Sequence, residues 1–303
     1  MSNKLLHTTG KSDIKILEWE KPDITDTQIE IKTVFCGICR SDIAAYKGWE
    51  DFMPFGMQGH EGLGVVTKIG NSIQDVKVGD FVATISDPAY CETYNAEEYQ
   101  YIKVPELDPK YIIQPTACAM NIIYKTLANS KQGDNILLIG TGFMSVIIGQ
   151  YLQSKGVSID VYGSSHKDIW DNLGHNLMQR EQLGRYDIVI DLSSKEENFY
   201  LAPDILNDEG LLCYAATPFT EVKTNFFDLC WKCVTIIMPS PRNSDFKKVM
   251  KQTVELIDSG DIDPSILWTK GYDAFTEYVE AFEEGVNRTK NYIRGYFFYD
   301  KNL

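Results

Sequence analysis

The sequence predicts an α/β chain of two domains: a β-rich domain drawn from both ends of the chain, and a doubly wound parallel-sheet domain between them. Residues from about 14 to 110 carry short β-rich runs, each bounded by Gly, Asp or Asn. From about 115 to 260 the rhythm changes to strands alternating with helices, the sequence form of a parallel sheet with crossover helices. The tail from about 262 returns to the first pattern. The expected division is 1–117 plus 262–303 for the β-rich domain and 118–261 for the parallel-sheet domain. The length of 303 residues suits two domains at roughly 100–200 residues each.

The elements follow in order. Gln28 to Val34, Gly64 to Ile69 and Asp80 to Ile85 read as strands of a barrel-like domain. Asn121 to Asn129 has helical spacing, Ile136 to Ile139 is a short buried-strand run, and Ser145 to Ser154 reads as a helix. Val157 to Tyr162, Tyr186 to Leu192 and Gly210 to Ala215 read as further strands. Ala274 to Gly285 is expected as an amphipathic helix and Ile293 to Tyr299 as the last strand. There are no repeats and no low-complexity segments.

Composition narrows the class. Aromatic residues make up 12% of the chain, enough to fill a large core. The formal net charge of −14 repels phosphate backbones and argues against nucleic-acid partners, while leaving room for a local anion site. The first residues, Met1 to His7, do not read as a signal peptide, and no apolar run reaches the roughly 20 residues that span a bilayer. A cytoplasmic address is the expectation. The seven cysteines are an odd number with no disulfide framework, so thiols, core fillers or metal ligands are expected.

Two groups of residues carry chemistry. After the strand that ends at Ile139 comes Gly140-Thr141-Gly142-Phe143-Met144-Ser145, a G-x-G-x-x-S loop opening a helix. Gly140 permits the tight turn and Gly142 the close approach of a pyrophosphate. The helix that follows offers its N-terminal amides and dipole to the anion, and Phe143 and Met144 are expected to contact the cofactor there. Ser145 stands where a third glycine is usual and is still small enough for helix–strand packing. The next strand lacks the acidic end that would recognise a ribose 2′-hydroxyl. It runs instead into Gly163-Ser164-Ser165-His166-Lys167, so Ser164, Ser165 and Lys167 are expected to meet a 2′-phosphate and NADP(H) is preferred over NAD(H).

The second group is Cys36-Gly37-Ile38-Cys39-Arg40-Ser41-Asp42 with Gly59-His60-Glu61-Gly62. Thiolate, imidazole and carboxylate together suit a borderline-soft ion such as zinc. A third candidate segment is Gln114-Pro115-Thr116-Ala117-Cys118. A second C-x-x-C, Cys230 and Cys233, lies too far away to complete a zinc ribbon; these residues fit adjacent turns of one helix and are expected as core thiols. His7, His166 and His175 have no second ligand nearby in sequence, so surface or loop roles are expected.

These segments, with Val78-Gly79-Asp80, the loop Gly140 to Ser145, Tyr186 to Asp191 and Ile257 to Asp263, resemble the medium-chain zinc alcohol dehydrogenases over nearly the whole chain. The resemblance implies a GroES-like catalytic domain joined to a Rossmann domain, and reversible oxidation of an alcohol to a carbonyl. It implies Cys39 and His60 as ligands of one catalytic zinc, with Glu61 as a carboxylate able to ligate or to exchange with water. Ser41 would carry the substrate proton, Asp42 would orient His60, and Arg40 would contact the cofactor pyrophosphate. The third ligand is Cys118 by comparison with alcohol-type members and Gln114 by comparison with polyol- and sugar-type members. A homo-oligomer, dimer or tetramer, is also implied.

The chain departs from that pattern in three places. Residues 87–100 hold only Cys91, so the four-cysteine structural zinc lobe is expected to be absent. Ala44 stands where a relay histidine is common, and Asn121 replaces a histidine of polyol-type members. The substrate is therefore open between polyols or sugars and simple or aromatic alcohols, and Trp49, Phe52 and Phe55 are expected near the pocket mouth. Two alternatives remain: a zinc-free enone or quinone reductase of the same fold, and a non-catalytic nicotinamide-binding protein.

Overall fold

The structure is a computed structural model and describes residues 3–48, 59–131, 133–218, 221–241 and 243–300. Trp49, Phe52 and Phe55 lie outside the described residues. The chain divides into two compact units: Met1–Ala117 with Lys247–Asp258 and Pro264–Leu303, and Cys118–Phe246 with Ser259–Asp263.

In chain order the first strands are β1 (Asn3–Gly10), β2 (Asp13–Trp19) and β3 (Gln28–Gly37), followed by helix α1 (Arg40–Lys47). Then come β4 (Gly62–Ile69), β5 (Phe81–Thr84), β6 (Thr93–Glu97), β7 (Tyr101–Lys103) and α2 (Ile113–Leu127). The parallel-sheet part runs β8 (Ile136–Ile139), α3 (Phe143–Ser154), β9 (Ile159–Tyr162), α4 (Lys167–Asn172), β10 (Leu177–Met178) and β11 (Tyr186–Asp191). It continues through α5 (Glu196–Ile205), β12 (Leu206–Tyr214), α6 (Phe226–Trp231) and β13 (Thr235–Ile237). The chain closes with α7 (Phe246–Ser259), β14 (Trp268–Asp273), α8 (Tyr278–Asn287) and β15 (Arg294–Phe298).

The first unit is built on a sheet of order β14-β15-β3-β4-β5-β7, with β6 also on β3 and β1–β2 as a separate hairpin. β3 is the hub, paired with β15, β4 and β6, and seven of its ten residues are buried. Tyr90 meets Phe282 and Phe297 edge to face inside this unit, with centroids of Tyr90 and Phe297 5.1 Å apart, and the two phenylalanines stack on each other. Each such fully buried ring contributes about 1.5–3 kcal/mol of apolar burial.

The second unit has a six-stranded sheet of order β10-β9-β8-β11-β12-β13, parallel throughout. This is the 3-2-1-4-5-6 order of a Rossmann sheet. All four residues of β8 are buried, as expected of a strand paired on both edges and covered on both faces. The α/β class and both domain types are those the sequence predicts.

Several boundaries differ from the sequence reading. α2 runs Ile113–Leu127 rather than Asn121 to Asn129, so Gln114 to Cys118 lies within the helix. Pro115 lies in the first turn, where a missing amide hydrogen breaks no helical bond. α3 begins at Phe143, directly after Gly142 as N-cap. The last helix starts at Tyr278 because the Asp273 carboxylate accepts from the amides of Phe275 and Thr276, which turns the chain first. Cys230 and Cys233 are corrected outright: α6 ends between them, and both are exposed rather than in the core. His7 lies in β1, His166 is the N-cap of α4, and His175 packs edge-on to Trp170 with centroids 5.8 Å apart.

Candidate metal centre and nucleotide loop

Three strand ends converge in the first unit. The register that pairs Cys36 with Gly62 brings the end of β3 beside the start of β4. Gly37 N donates to Glu61 O at 3.0 Å, and Ile38 N donates to Gly295 O at 3.0 Å, which adds the start of β15. Cys39 follows as the N-cap of α1, so Ser41 lies in that helix's first turn and Arg40 opens it.

Cys39, His60 and Glu61 each offer one donor atom within 4.8 Å of the others, and they form such a group among the described residues. Glu61 is fully buried, His60 is 9% exposed and Cys39 is half-buried. Gly37 is required here, because a Cβ would overlap the Glu61 carboxylate and the Trp268 ring. Gly59 has φ +78°, and a Cβ there would enter the Tyr90 ring.

Asp42 organises the floor of this cluster. Its Oδ2 accepts from Cys39 N at 2.9 Å and from Tyr90 OH at 2.8 Å. Its Oδ1 faces His60 Nδ1 at 3.8 Å, and neither atom has a hydrogen-bond partner. Burial pushes the Asp42 carboxyl up to about 6, against the pull of His60. Burial would lower the His60 imidazole, but Cys39 and Asp42 outweigh it and push it up to about 10.

Glu61 Oε1 is ion-paired with Arg294 Nη2, whereas Oε2 is buried with no hydrogen-bond partner. Arg294 also stacks over Trp268 at 5.5 Å. Burial would lower the guanidinium, but the charge and hydrogen bond of Glu61, together with Cys39 and Tyr292, raise it on balance. A sulfur, a nitrogen and a carboxylate oxygen gathered in this way, with a carboxylate behind the imidazole, fit a zinc ion. Sequence reasoning missed Arg294, Tyr90 and Trp268. Arg294 is 233 positions from Glu61, and no local motif marks it.

The remaining expected ligands are placed as follows. Gln114 is 4% exposed and Cys118 is half-buried, one turn apart on α2. Cys36 is fully buried, and burial raises its thiol well above the usual range, so it is a core residue. Cys91 is likewise buried, its thiol directed at the carbonyls of Pro88 and Thr93. Ala44 is buried in α1. Asn121 is tied to the backbone of Ser240 and the side chain of Asn243 within the second unit.

In the second unit the glycine loop joins β8 to α3. Gly140 has φ +108° and donates to Tyr162 O at 2.8 Å. Gly142 has no atom within 4 Å of where a Cβ would stand, so space for a ligand lies before the first turn of α3. Phe143 is buried and Met144 half-buried. A Cβ on Gly163 would come 2.6 Å from Thr141 Cγ2, which brings the end of β9 against the same loop. Ser164, Ser165 and Lys167 follow β9 and are exposed. Lys167 Nζ pairs with Asp171 at 2.6 Å.

The first unit thus holds a thiol–imidazole–carboxylate cluster, and the second unit carries a Rossmann glycine loop. Residues 25–113 match the alcohol dehydrogenase GroES-like domain. An alcohol dehydrogenase of Geobacillus stearothermophilus is 23% identical, covering 91% of this chain and 94% of that protein. D-arabinitol dehydrogenase 1 of Uromyces fabae is 25% identical, covering 61% and 59%. The structure of a cobalt- and zinc-bound thermostable alcohol dehydrogenase from Pyrobaculum aerophilum superposes with a TM-score of 0.83 at 17% identity, covering 99% of this chain and 100% of that one. These likenesses support the medium-chain alcohol dehydrogenase family. No helix among the described residues is long and apolar enough to cross a membrane.

Proposed function

We propose that the protein is a zinc-dependent dehydrogenase that interconverts an alcohol and its aldehyde or ketone with NADP(H). The observation that carries this reading is the Cys39–His60–Glu61 donor set, backed by Asp42. Cys39 and His60 would hold the ion, Glu61 would ligate it or exchange with water, and α2 would add Cys118 or Gln114. Bound there, zinc supplies a Lewis acid that acidifies the substrate hydroxyl, and the nicotinamide supplies the hydride acceptor.

The chain's own residues do the rest. Asp42 fixes the His60 ring from its Nδ1 side. Ser41, in the first turn of α1, takes the hydroxyl proton. Arg40 and the amides of Phe143 and Met144 neutralise the cofactor pyrophosphate, with Gly140 and Gly142 giving the backbone its close approach. Ser164, Ser165 and Lys167 meet the 2′-phosphate. Relatives that act on alcohols and on a sugar alcohol support a small hydroxylated substrate, polyol or simple or aromatic alcohol. A cytoplasmic homo-oligomer belongs to the same proposal.

The test is oxidation of a panel of polyols and alcohols with NADP⁺, alongside metal analysis of the full chain. About one zinc per chain is expected, with turnover lost on chelation and in Cys39→Ala and His60→Ala while nucleotide binding persists. Undiminished turnover without metal would instead identify a zinc-free reductase. Nucleotide binding with no turnover on any alcohol or carbonyl would identify a non-catalytic binder.

A further inference from the structure

Among the seven cysteines, Cys36, Cys91 and Cys213 are buried, Cys39 and Cys118 are half-buried, and Cys230 and Cys233 alone are exposed. This exposed pair sits on a well-defined turn. Val234 N donates to Leu229 O at 3.1 Å and Cys233 N to Cys230 O at 3.1 Å. These are the two bonds of a Schellman helix stop, with Cys233 at the left-handed position, φ 55°.

The turn is anchored from beneath. Leu229 is buried and Val234 packs against the same apolar cluster. Lys232 Nζ donates to Pro203 O at 2.6 Å and Leu206 O at 3.0 Å, and Glu209 N donates to Lys232 O at 2.6 Å. The backbone between the two cysteines is therefore fixed inward while both thiols are left at the surface. Glycine usually occupies the left-handed stop position. What cysteine adds there is a second thiol three residues from the first. A turn of this kind keeps its end Cα atoms within about 7 Å, and disulfides span roughly 4.4–6.8 Å.

We propose that Cys230 and Cys233 form a surface dithiol, a modification site that closes to an intramolecular disulfide by exchange with a low-molecular-weight disulfide. One thiolate attacks a sulfur of the small disulfide, forming a mixed disulfide and expelling one small thiolate. The second cysteine then attacks the protein sulfur of that mixed bond, forming the Cys230–Cys233 bond and expelling the second small thiolate. The two cysteines are oxidised, the small disulfide is reduced to two thiols, and the two cysteine protons end on those thiols. The second step is favoured because both sulfurs ride on one turn.

The experiment treats the folded, zinc-loaded full chain with glutathione disulfide, quenches in acid, and reads intact mass and peptides. The expected product has lost two hydrogens, carries no glutathione, and maps to a Cys230–Cys233 link that dithiothreitol reverses. Cys233→Gly, which suits the left-handed backbone and keeps the fold, should instead retain one glutathione on Cys230. An unchanged mass, a stable glutathione adduct on the unsubstituted chain, or a disulfide mapped to other cysteines would each overturn the proposal. The result is independent of turnover, so it stands or falls apart from the proposed reaction.

Discussion

Glu61 gives one carboxylate oxygen to Arg294 and keeps the other, buried, with no hydrogen-bond donor beside His60 and Cys39. The pair is thus half ion pair and half open donor. Arg294→Leu should leave the Glu61 charge without its buried partner and destabilise the chain by about 3–5 kcal/mol. Urea unfolding checks this. The double variant Glu61→Leu with Arg294→Leu should recover most of that loss, because both charges leave together.

Gly37→Ala puts a methyl where the Glu61 carboxylate and the Trp268 ring now stand. Overpacking of this kind costs about 1–3 kcal/mol. Activity should fall further than stability, since Glu61 is displaced from the donor set. Thermal unfolding measured beside turnover separates the two; equal retention of both would show that Glu61 does not need its present position.

Asp42→Asn keeps the shape of the residue behind His60 and removes its charge. Zinc affinity or turnover should drop about 10–100-fold, the usual cost of losing a carboxylate behind a metal-bound histidine. Competition with a chromophoric chelator measures the affinity. Tyr90→Phe, which removes one donor to Asp42 Oδ2, should show a smaller effect in the same direction.

Lys167 is exposed at the start of α4 and held by Asp171. If it meets a 2′-phosphate, Lys167→Ala should weaken NADP⁺ by roughly tenfold relative to NAD⁺, in line with ~1.5 kcal/mol for a hydrogen bond to a charged group. Asp171→Asn controls for loss of the helix pair. Equal effects on the two nucleotides would remove Lys167 from cofactor choice.

Acid should find Glu30. Burial would raise its carboxyl, yet hydrogen bonds from Lys21, Lys68 and Thr67 hold it below its ordinary value of 4.5. Lys21 and Lys68 sit 2.9 and 3.0 Å from Oε2. A depressed folded value means stability that is present above the unfolded value and lost as pH falls through the folded one. The stability gap between the unsubstituted chain and Glu30→Gln should therefore narrow as pH is lowered below about 4.5. Denaturant midpoints at pH 6 and pH 3.5 test it.

The sequence by itself determined the α/β class, the two domain types, the glycine loop and the Cys39–His60–Glu61 group. Each of these is carried by short motifs: alternation of strands and helices, a glycine loop between a strand and a helix, and ligand-type residues in two brief segments, one around Cys39 and one at His60-Glu61. Tertiary structure alone decided the rest. Arg294 reaches Glu61 only because β15 pairs with β3, a contact between chain ends that no local pattern announces. Tyr90 reaches Asp42 by the packing of the same core. Cys230 and Cys233 read as core residues by type, since a free thiol behaves as a small apolar group. Their exposure follows from where a helix stop fell and from Lys232, whose ammonium took the inward side of the turn. Burial is a property of the assembled fold, so a residue's type sets only its preference, and packing decides whether that preference is met.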